Sequence, residues 1–221
     1  MAHIAPLDTD NHPELEPILA SAAAAMGFVP NSTRTMAHMG QLPFVFSALF
    51  GTIMGADAKT ILAGLQGVMP EQTSAEQNLP AELLQLIAYC VSLSAGCRYC
   101  QAHTGHNTER MSATPDQQAD KLAQVLNFET AECFTDAERA AIALALAAGQ
   151  VPNASDAEHF HSLREHYSER QQVQIVAVIS LFGFLNRWND TVATTLEETP
   201  SNFAEQHLAA GGWQLSKHGP E

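Results

Sequence analysis

The chain has 221 residues, 46% of them hydrophobic, and a formal charge of −14 from 24 acidic and 10 basic residues. This length allows one large domain or two small ones, and the apolar content suffices for a buried core. The acidic balance argues against a nucleic-acid groove and against binding to an anionic membrane surface.

The beginning of the chain lacks the basic region and apolar stretch that a secretory signal requires. The longest apolar runs lie near residues 140–148 and 175–185 and are too short to span a bilayer, which takes about 20 residues. We therefore expect a cytoplasmic protein with no membrane partner. In that compartment a close cysteine pair is more typical of redox chemistry or metal binding than of a structural disulfide.

Helix start and stop signals follow one another along the chain. They predict helices over residues 10–26, 31–40, 43–54 and 57–69, and a further helix that has Pro80 at its first position. Residues 71–79 are predicted to be a polar loop. Capping-box spacing marks four later helix starts, at Thr114, Thr135, Ser155 and Ser168.

These signals predict an all-α bundle of eight to ten helices. We expect a single domain over residues 1–200, with its core at 80–110, and a polar, glycine-containing tail over 201–221. A weak internal echo relates Ile87-Ala88…Gly96 to Ile142-Ala143…Gly149, which suggests a degenerate two-fold repeat.

The strongest chemical signal is the cysteine pair Cys97 and Cys100, which follows Gly96 at the junction of two predicted helices. The unpaired N–H groups at a helix start lower the pKa of a cysteine there and favour the nucleophilic thiolate. Positions three apart share a helix face, so the two sulfurs can form a disulfide. His103 follows one turn later and is a candidate for proton transfer.

The preceding helix carries a polar stripe, formed by Glu82, Gln85, Tyr89 and Ser92 at helical spacing. A turn at Ala95-Gly96 folds the two helices against one another. The sequence therefore predicts that this stripe faces the thiols.

The segment LQLIAYCVSLSAGCRYCQAH, residues 84–103, resembles the core signature of the alkylhydroperoxidase D-like, carboxymuconolactone decarboxylase-like superfamily. The resemblance extends to GFVPNSTRTMAHMGQLPFVFSALF, FTDAERAAIALALA, VAVISLFGFLNRWNDTV and GWQLSKHG, and points to the longer, peroxidase-related members.

The resemblance implies an all-α AhpD-like fold and the reduction of a hydroperoxide to an alcohol through a Cys97–Cys100 disulfide. It makes Cys100 the attacking cysteine and Cys97 the resolving one, and it requires no metal or organic cofactor. It also implies a dithiol reductant protein, lipoyl- or thioredoxin-like, and a homo-oligomer, either a trimer or a hexamer.

The chain departs from the family pattern at several positions. Gln85 stands where the family has a Glu, so Glu82, one turn earlier, is the candidate relay acid. Thr104 stands at the position of the founding type's His, which leaves His103 as the nearest imidazole. Arg98 is a candidate source of positive charge for a thiolate. The predicted catalytic residues are Cys97, Cys100, His103 and Glu82.

Two other functions stay open at this point. One is acid–base chemistry of the lactone decarboxylase type, which that branch of the superfamily performs without the cysteine pair. The other is a non-enzymatic helical oligomer that senses redox state or holds zinc through Cys97, Cys100, His103 and His106. Four ligands on one helix rotate around its axis and close a tetrahedron poorly.

The remaining candidates have structural interpretations. Cys90 is expected in the core and Cys133 is expected to be unpaired. Asn186, Arg187 and Asp190 are expected to end a long apolar helix as structural caps, with Arg187 and Asp190 spaced so that they can pair. A role in lining a pocket is the alternative for these three residues.

Overall fold

The structure is a computed structural model and describes residues 2–71, 77–112 and 114–219. In these ranges the chain forms eleven α-helices and no β-strand, which confirms the all-α class and exceeds the predicted helix number by one. The helices are α1 Glu16–Met26, α2 Asn31–Met36, α3 Leu42–Ile53, α4 Ala58–Gln66, α5 Ala81–Ser94, α6 Arg98–Met111, α7 Pro115–Gln124, α8 Asp136–Ala148, α9 Ala157–His166, α10 Glu169–Val192 and α11 Glu198–His207. Part of the predicted loop at 71–79, residues 72–76, lies outside the described ranges.

The N-termini of the helices show which of the predicted residues form side-chain caps. Thr135 forms the predicted capping box with Glu138. At α9 the cap is Asp156, paired with His159, so the prediction of Ser155 was wrong by one residue. Asp156 forms this cap because its carboxylate accepts from two backbone N–H groups of the first turn, whereas the Ser155 hydroxyl donates to Asn153 Oδ1. Thr114 makes no side-chain capping bond, and Pro80 is the cap of α5 rather than its first residue.

The described chain divides into two compact units. The first comprises residues up to Asn78 together with Glu169–Val173, and the second comprises Leu79–Ser168 together with the residues from Gln174 onward. The first unit has its own apolar core, which includes Leu15, Ile18, Leu19, Ala37 and Phe44. The single domain over 1–200 and the tail over 201–221 stay predictions, as does the internal repeat.

The second unit is built around α5, whose residues from Leu86 to Ser92 are all buried. Helix α6 packs along α5 on one side and α8 packs on another. Residues 198–218 also belong to this unit, and their buried side chains include Phe203, Ala204, Leu208 and Trp213.

The turn between α5 and α6 sets the position of the cysteine pair. Gly96 has a φ of +77°, a left-handed conformation that side-chain-bearing residues adopt at a cost. This conformation reverses the chain and lets the Cys97 N–H donate to the Ser92 carbonyl at 3.1 Å. Cys97 therefore lies immediately before the first residue of α6.

None of the helices in the described ranges combines the length and the apolar character that crossing a membrane requires.

A close approach at the end of α8 generates a stability prediction. A Cβ on Gly149 would lie 2.9 Å from both the Val91 carbonyl oxygen and the Ser94 Cβ, so Gly149→Ala forces α5 and α8 apart. We expect a loss of about 1–3 kcal/mol in the free energy of unfolding, measured by urea denaturation. The matched control is Gly183→Ala inside α10, where nothing lies within 4 Å and the substitution should be neutral or stabilising. Equal stabilities of the two variants would contradict this account of the packing.

Candidate active site

Cys97 is the N-cap of α6, and its sulfur accepts a hydrogen bond from the Cys100 backbone N–H at 3.5 Å. The free N–H groups and the dipole of α6 place partial positive charge at this position. Both cysteines are buried, and both are free thiols in the structure. The structure thus brings together the two predicted cysteines at a helix start, as the sequence indicated.

The pKa values of the two thiols shift in opposite directions. The Cys100 side chain hydrogen-bonds to the Cys97 sulfur, and this contact lowers the pKa of Cys97 against the effect of burial and of nearby Asp190. The same contact raises the pKa of Cys100, and burial adds to the rise. The contact between the two thiols therefore favours the thiolate form of Cys97, with Cys100 as the hydrogen-bond donor.

The last turns of α10 supply polar groups to both sulfurs. Asn189 donates its Nδ2 to the Cys100 sulfur at 3.5 Å and to the Leu185 carbonyl at 3.0 Å. The Asn189 Oδ1 accepts from the Thr194 hydroxyl at 2.9 Å, which fixes the orientation of the amide. Asn189 therefore presents an N–H, rather than an oxygen, to Cys100.

Asp190 connects Cys97 with two basic side chains from the C-terminal end of the chain. Its Oδ1 lies 3.3 Å from His218 Nε2, and its Oδ2 lies 3.1 Å from Lys217 Nζ. The imidazole of His218 is 1% exposed, and its Nδ1 donates to the Thr194 carbonyl at 2.8 Å. The prediction that Asp190 pairs with Arg187 was wrong, because Lys217 and His218 provide the basic groups at the carboxylate.

His103 lies one turn after Cys100 and pairs with a residue that the sequence did not single out. Its Nε2 lies 2.7 Å from Glu197 Oε2, and the Tyr99 hydroxyl donates to Glu197 Oε1 at 3.1 Å. Burial, together with the neighbouring Glu197 carboxylate, raises the pKa of Tyr99 to about 12. Glu197 thus holds His103 and Tyr99 together on the outer side of the motif.

Glu82 is not brought to the thiols. It occupies the first turn of α5, ten residues before Ser92, and hence about 15 Å along the helix axis from the turn that carries Cys97. Only the far end of the predicted polar stripe reaches the motif, where the Ser92 carbonyl accepts from the Cys97 N–H and from Gln101 Nε2. The Gln85 Oε1 is buried and has no hydrogen-bond partner among the described residues.

The other residues singled out from the sequence have hydrogen-bonded, packed or buried environments. Arg98 donates to Gln101 Oε1 at 3.1 Å, and His106 packs edge-on against Phe203. Cys90 is fully buried, and this burial raises the pKa of its thiol. Partial burial also raises the pKa of the Cys133 thiol.

The predicted zinc set of Cys97, Cys100, His103 and His106 does not form, because His103 faces Glu197 and His106 faces Phe203. Among the described residues, one group of three donor atoms converges: those of Cys97, Asp190 and His218, all within 4.8 Å of one another. Lys217 already neutralises the carboxylate in this group. The three donor atoms therefore form a hydrogen-bonded cluster whose carboxylate is paired with Lys217 Nζ at 3.1 Å.

An open groove of about 1270 Å³ runs beside α10 in the second unit. Its lining includes the aromatic rings of Phe184 and Trp188 as well as Asn186, Arg187 and Asp190. The Asn186 amide is buried, and neither its oxygen nor its nitrogen has a partner among the described residues. Asp190 lines the groove and also neighbours Cys97, whereas neither cysteine is part of the lining.

Fold and site define an all-α protein with a reduced Cys-x-x-Cys pair at a helix start, and comparison with known proteins identifies its family. The sequence profile of the carboxymuconolactone decarboxylase family matches residues 61–147. The debrominase Bmp8, compared in its apo crystal structure, is 31% identical in sequence to this chain. The match covers 92% of this chain and 96% of Bmp8, with a TM-score of 0.55. The chain therefore belongs to the carboxymuconolactone decarboxylase family.

Two further solved structures are similar. A cysteine-to-alanine variant of Bmp8 in complex with 2,3,4-tribromopyrrole is 30% identical, with a TM-score of 0.56 and coverage of 93% of this chain and 97% of the other. An uncharacterized peroxidase-related protein from Silicibacter sp. TM1040 is 20% identical, with a TM-score of 0.47 and coverage of 89% and 94%. A comparison with curated proteins finds no match.

The acidity difference between the thiols generates a labelling prediction. In the reduced protein at pH 7 we expect a brief treatment with iodoacetamide to modify Cys97 before Cys100, Cys90 and Cys133, because the thiolate is the reactive form. Peptide mass spectrometry of the labelled cysteines measures the order. Cys133→Ser is the control and should leave the labelling of Cys97 unchanged. Faster labelling of Cys100 would place the thiolate on the other sulfur.

Proposed function

We propose that the protein is a thiol-dependent reductase that transfers two electrons from Cys97 and Cys100 to an electrophilic substrate and ends as the Cys97–Cys100 disulfide. The observation that carries this proposal is the N-cap position of Cys97, whose sulfur accepts the Cys100 N–H. A thiolate held in this way is a nucleophile, and the second thiol within hydrogen-bonding reach is placed to resolve its oxidised form. A dithiol protein is the proposed reductant that restores both thiols.

The first substrate class is an organic hydroperoxide. The Cys97 thiolate attacks the outer peroxide oxygen, the O–O bond breaks, and the leaving alkoxide takes up a proton to give the alcohol. Cys97 is then a sulfenic acid. The Cys100 sulfur attacks it, the S–S bond forms, and the hydroxyl leaves with the Cys100 proton as water. Two thiols and one hydroperoxide thus yield a disulfide, an alcohol and water.

This proposal exchanges the roles that the family resemblance implies for the two cysteines. Cys100 donates to Cys97 and is the less acidic thiol, so at neutral pH the nucleophilic sulfur belongs to Cys97. The Asn189 N–H beside Cys100 fits the resolving step, because it stabilises charge on that sulfur once Cys97 has been oxidised.

A second candidate reaction is reductive dehalogenation of a halogenated aromatic ring. It is supported by the 31% identity to a debrominase and by Phe184 and Trp188 in the groove beside Asp190. Here the thiolate attacks the halogen, the carbon–halogen bond breaks, and the ring carbon takes a proton. Cys100 then displaces the halide from Cys97 and forms the disulfide. Both reactions pass an electrophilic atom to sulfur and require a proton for the leaving group.

The experiment that tests the function treats reduced protein with cumene hydroperoxide or 2,3,4-tribromopyrrole and follows the thiols by mass spectrometry. We expect a Cys97–Cys100 disulfide within the first turnover for at least one of the two substrates, and loss of turnover by at least 100-fold in Cys97→Ser. Cys100→Ser should still consume one equivalent of substrate and stop at an oxidised Cys97. Cys133→Ser is the control and should turn over normally. Uniform oxidation of all the cysteines would contradict the proposal.

We also propose that the protein assembles with further copies of itself through the exposed face of α10. This face, here called the apolar row, consists of Leu181, Phe184, Trp188 and Val192, which are between 44% and 58% exposed. Their spacing places them on one side of the helix. An exposed apolar surface of this kind is typical of a protein interface.

The assembly is tested by light scattering after size-exclusion chromatography. Leu181→Glu places a charge in the apolar row without altering the groove lining, so we expect dissociation to a species of about 24 kDa. Leu126→Glu is the control, because Leu126 is 64% exposed and lies outside the row. A monomeric wild-type protein, or an unchanged mass for Leu181→Glu, would refute this interface.

A further inference from the structure

The environment of His218 fixes the protons on its ring. The Nδ1 faces the Thr194 carbonyl at 2.8 Å, and a carbonyl oxygen only accepts, so Nδ1 carries a hydrogen. The Nε2 faces Asp190 Oδ1 at 3.3 Å, and an ionised carboxylate also only accepts. The Nε2 atom therefore lies where a hydrogen on it would be donated to the Asp190 carboxylate.

This proton lies next to the nucleophilic sulfur, because the Cys97, Asp190 and His218 donor atoms lie within 4.8 Å of one another. With Cys97 as thiolate the cluster contains two negative and two positive groups, since Lys217 Nζ pairs with the second oxygen of Asp190. The charges balance only when His218 is an imidazolium. The cluster is therefore suited to exchange one proton between Cys97 and His218.

The other charged or titratable groups around Cys97 do not compete for this proton. From α6, Cys100 donates its hydrogen to the Cys97 sulfur and Arg98 donates to Gln101. The Tyr99 ring lies 5.7 Å from the His218 ring, and its hydroxyl donates to Glu197. From α10, Asp190 is the carboxylate that reaches the sulfur.

The backbone on both sides of this contact is strained. Ala193 has a φ of +50° and Ser216 has a φ of +55°, left-handed conformations that cost a side-chain-bearing residue roughly 1–2 kcal/mol. The first lies next to Thr194 and the second lies two residues before His218. Such strain persists where the surrounding contacts enforce it and is concentrated at functional sites.

We infer that the Asp190–His218 pair is the proton relay of the site, which takes the Cys97 proton and returns it to the group that leaves the substrate. This inference rests on the proposed reductase function and adds the source of the proton that the leaving group needs. It makes His218 the general acid and Asp190 the group that orients it. Lys217 balances the remaining charge of Asp190.

The proton balance is closed for a hydroperoxide. Cys97–SH and neutral His218 give the thiolate and the imidazolium. The thiolate then takes the outer oxygen, the O–O bond breaks, and the imidazolium proton passes to the alkoxide as the alcohol forms. His218 returns to the neutral form when Cys97 is oxidised. For a halogenated ring, the same proton goes to the ring carbon that has lost its halogen.

The first test measures the pH dependence of Cys97 alkylation in single-turnover labelling, which needs no substrate. His218→Asn keeps a donor for the Thr194 carbonyl but removes the cation, so we expect the midpoint to move up by about one pH unit. Asp190→Asn removes the negative charge beside the thiolate and should move the midpoint down. If His218 and Asp190 had purely structural roles, the two substitutions would not move the alkylation midpoint in opposite directions. Thermal unfolding checks that both variants are folded.

The second test varies the leaving group. A tert-butyl hydroperoxide releases a strongly basic alkoxide and needs the acid, whereas peracetic acid releases acetate and does not. We expect His218→Asn to slow Cys97 oxidation by at least 30-fold with the first and by less than 3-fold with the second, within the range of general acid catalysis. His161→Asn is the control, because His161 forms an exposed pair with Glu165.

The outcomes separate the relay from the proposed function. Equal losses with the two oxidants, or midpoints that move in the same direction, would overturn the relay even if the disulfide forms. Stoichiometric zinc that is lost in His218→Asn would also overturn it. If no oxidant or halogenated ring produces the disulfide, the proposed function fails, and the opposed alkylation midpoints alone decide whether His218 controls the charge of Cys97.

Discussion

The site depends on one hydrogen bond, from the Cys100 backbone N–H to the Cys97 sulfur. This bond exists because Gly96 reverses the chain and leaves Cys97 outside the first turn of α6, where helix N–H groups lack partners. A Ser or Asp in this position would serve only to cap the helix. A cysteine performs the same capping and becomes acidic as a consequence, so one interaction starts the helix and selects the nucleophile.

The end of α10 divides its polar groups between the two sulfurs. Asn189 offers an N–H to Cys100, and the next residue, Asp190, offers a carboxylate to Cys97. The Asn189 N–H stabilises negative charge on the Cys100 sulfur, whereas the Asp190 carboxylate destabilises negative charge on the Cys97 sulfur. Each contact therefore opposes the effect of the hydrogen bond between the two thiols, which favours the thiolate at Cys97. The hydrogen bond between the two thiols prevails over both contacts, so Cys97 remains the more acidic thiol.

The sequence predicted the features that depend on neighbours in the chain. The helical class, the capping box at Thr135 and the paired thiols at a helix start all follow from patterns within a few residues. Glu82 was selected from a stripe that is regular along α5, but a helix of 14 residues extends too far for both ends to reach one turn. Glu197, Lys217 and His218 escaped detection because about 90 to 120 residues separate them from the motif. The segment GWQLSKHG contributed to the family resemblance, but nothing in it indicated that Lys217 and His218 lie near the cysteines.

The distance in sequence between Cys97 and His218 has a consequence for folding. Contacts between residues that are far apart in the chain require the closure of a large loop and form late. Helix α6 and its N-cap can form early, but the imidazole reaches the sulfur only when the helices between them have packed. A partly folded chain can therefore contain the capped Cys97 before Lys217 and His218 reach it, and the cluster around the sulfur is complete only in the native structure.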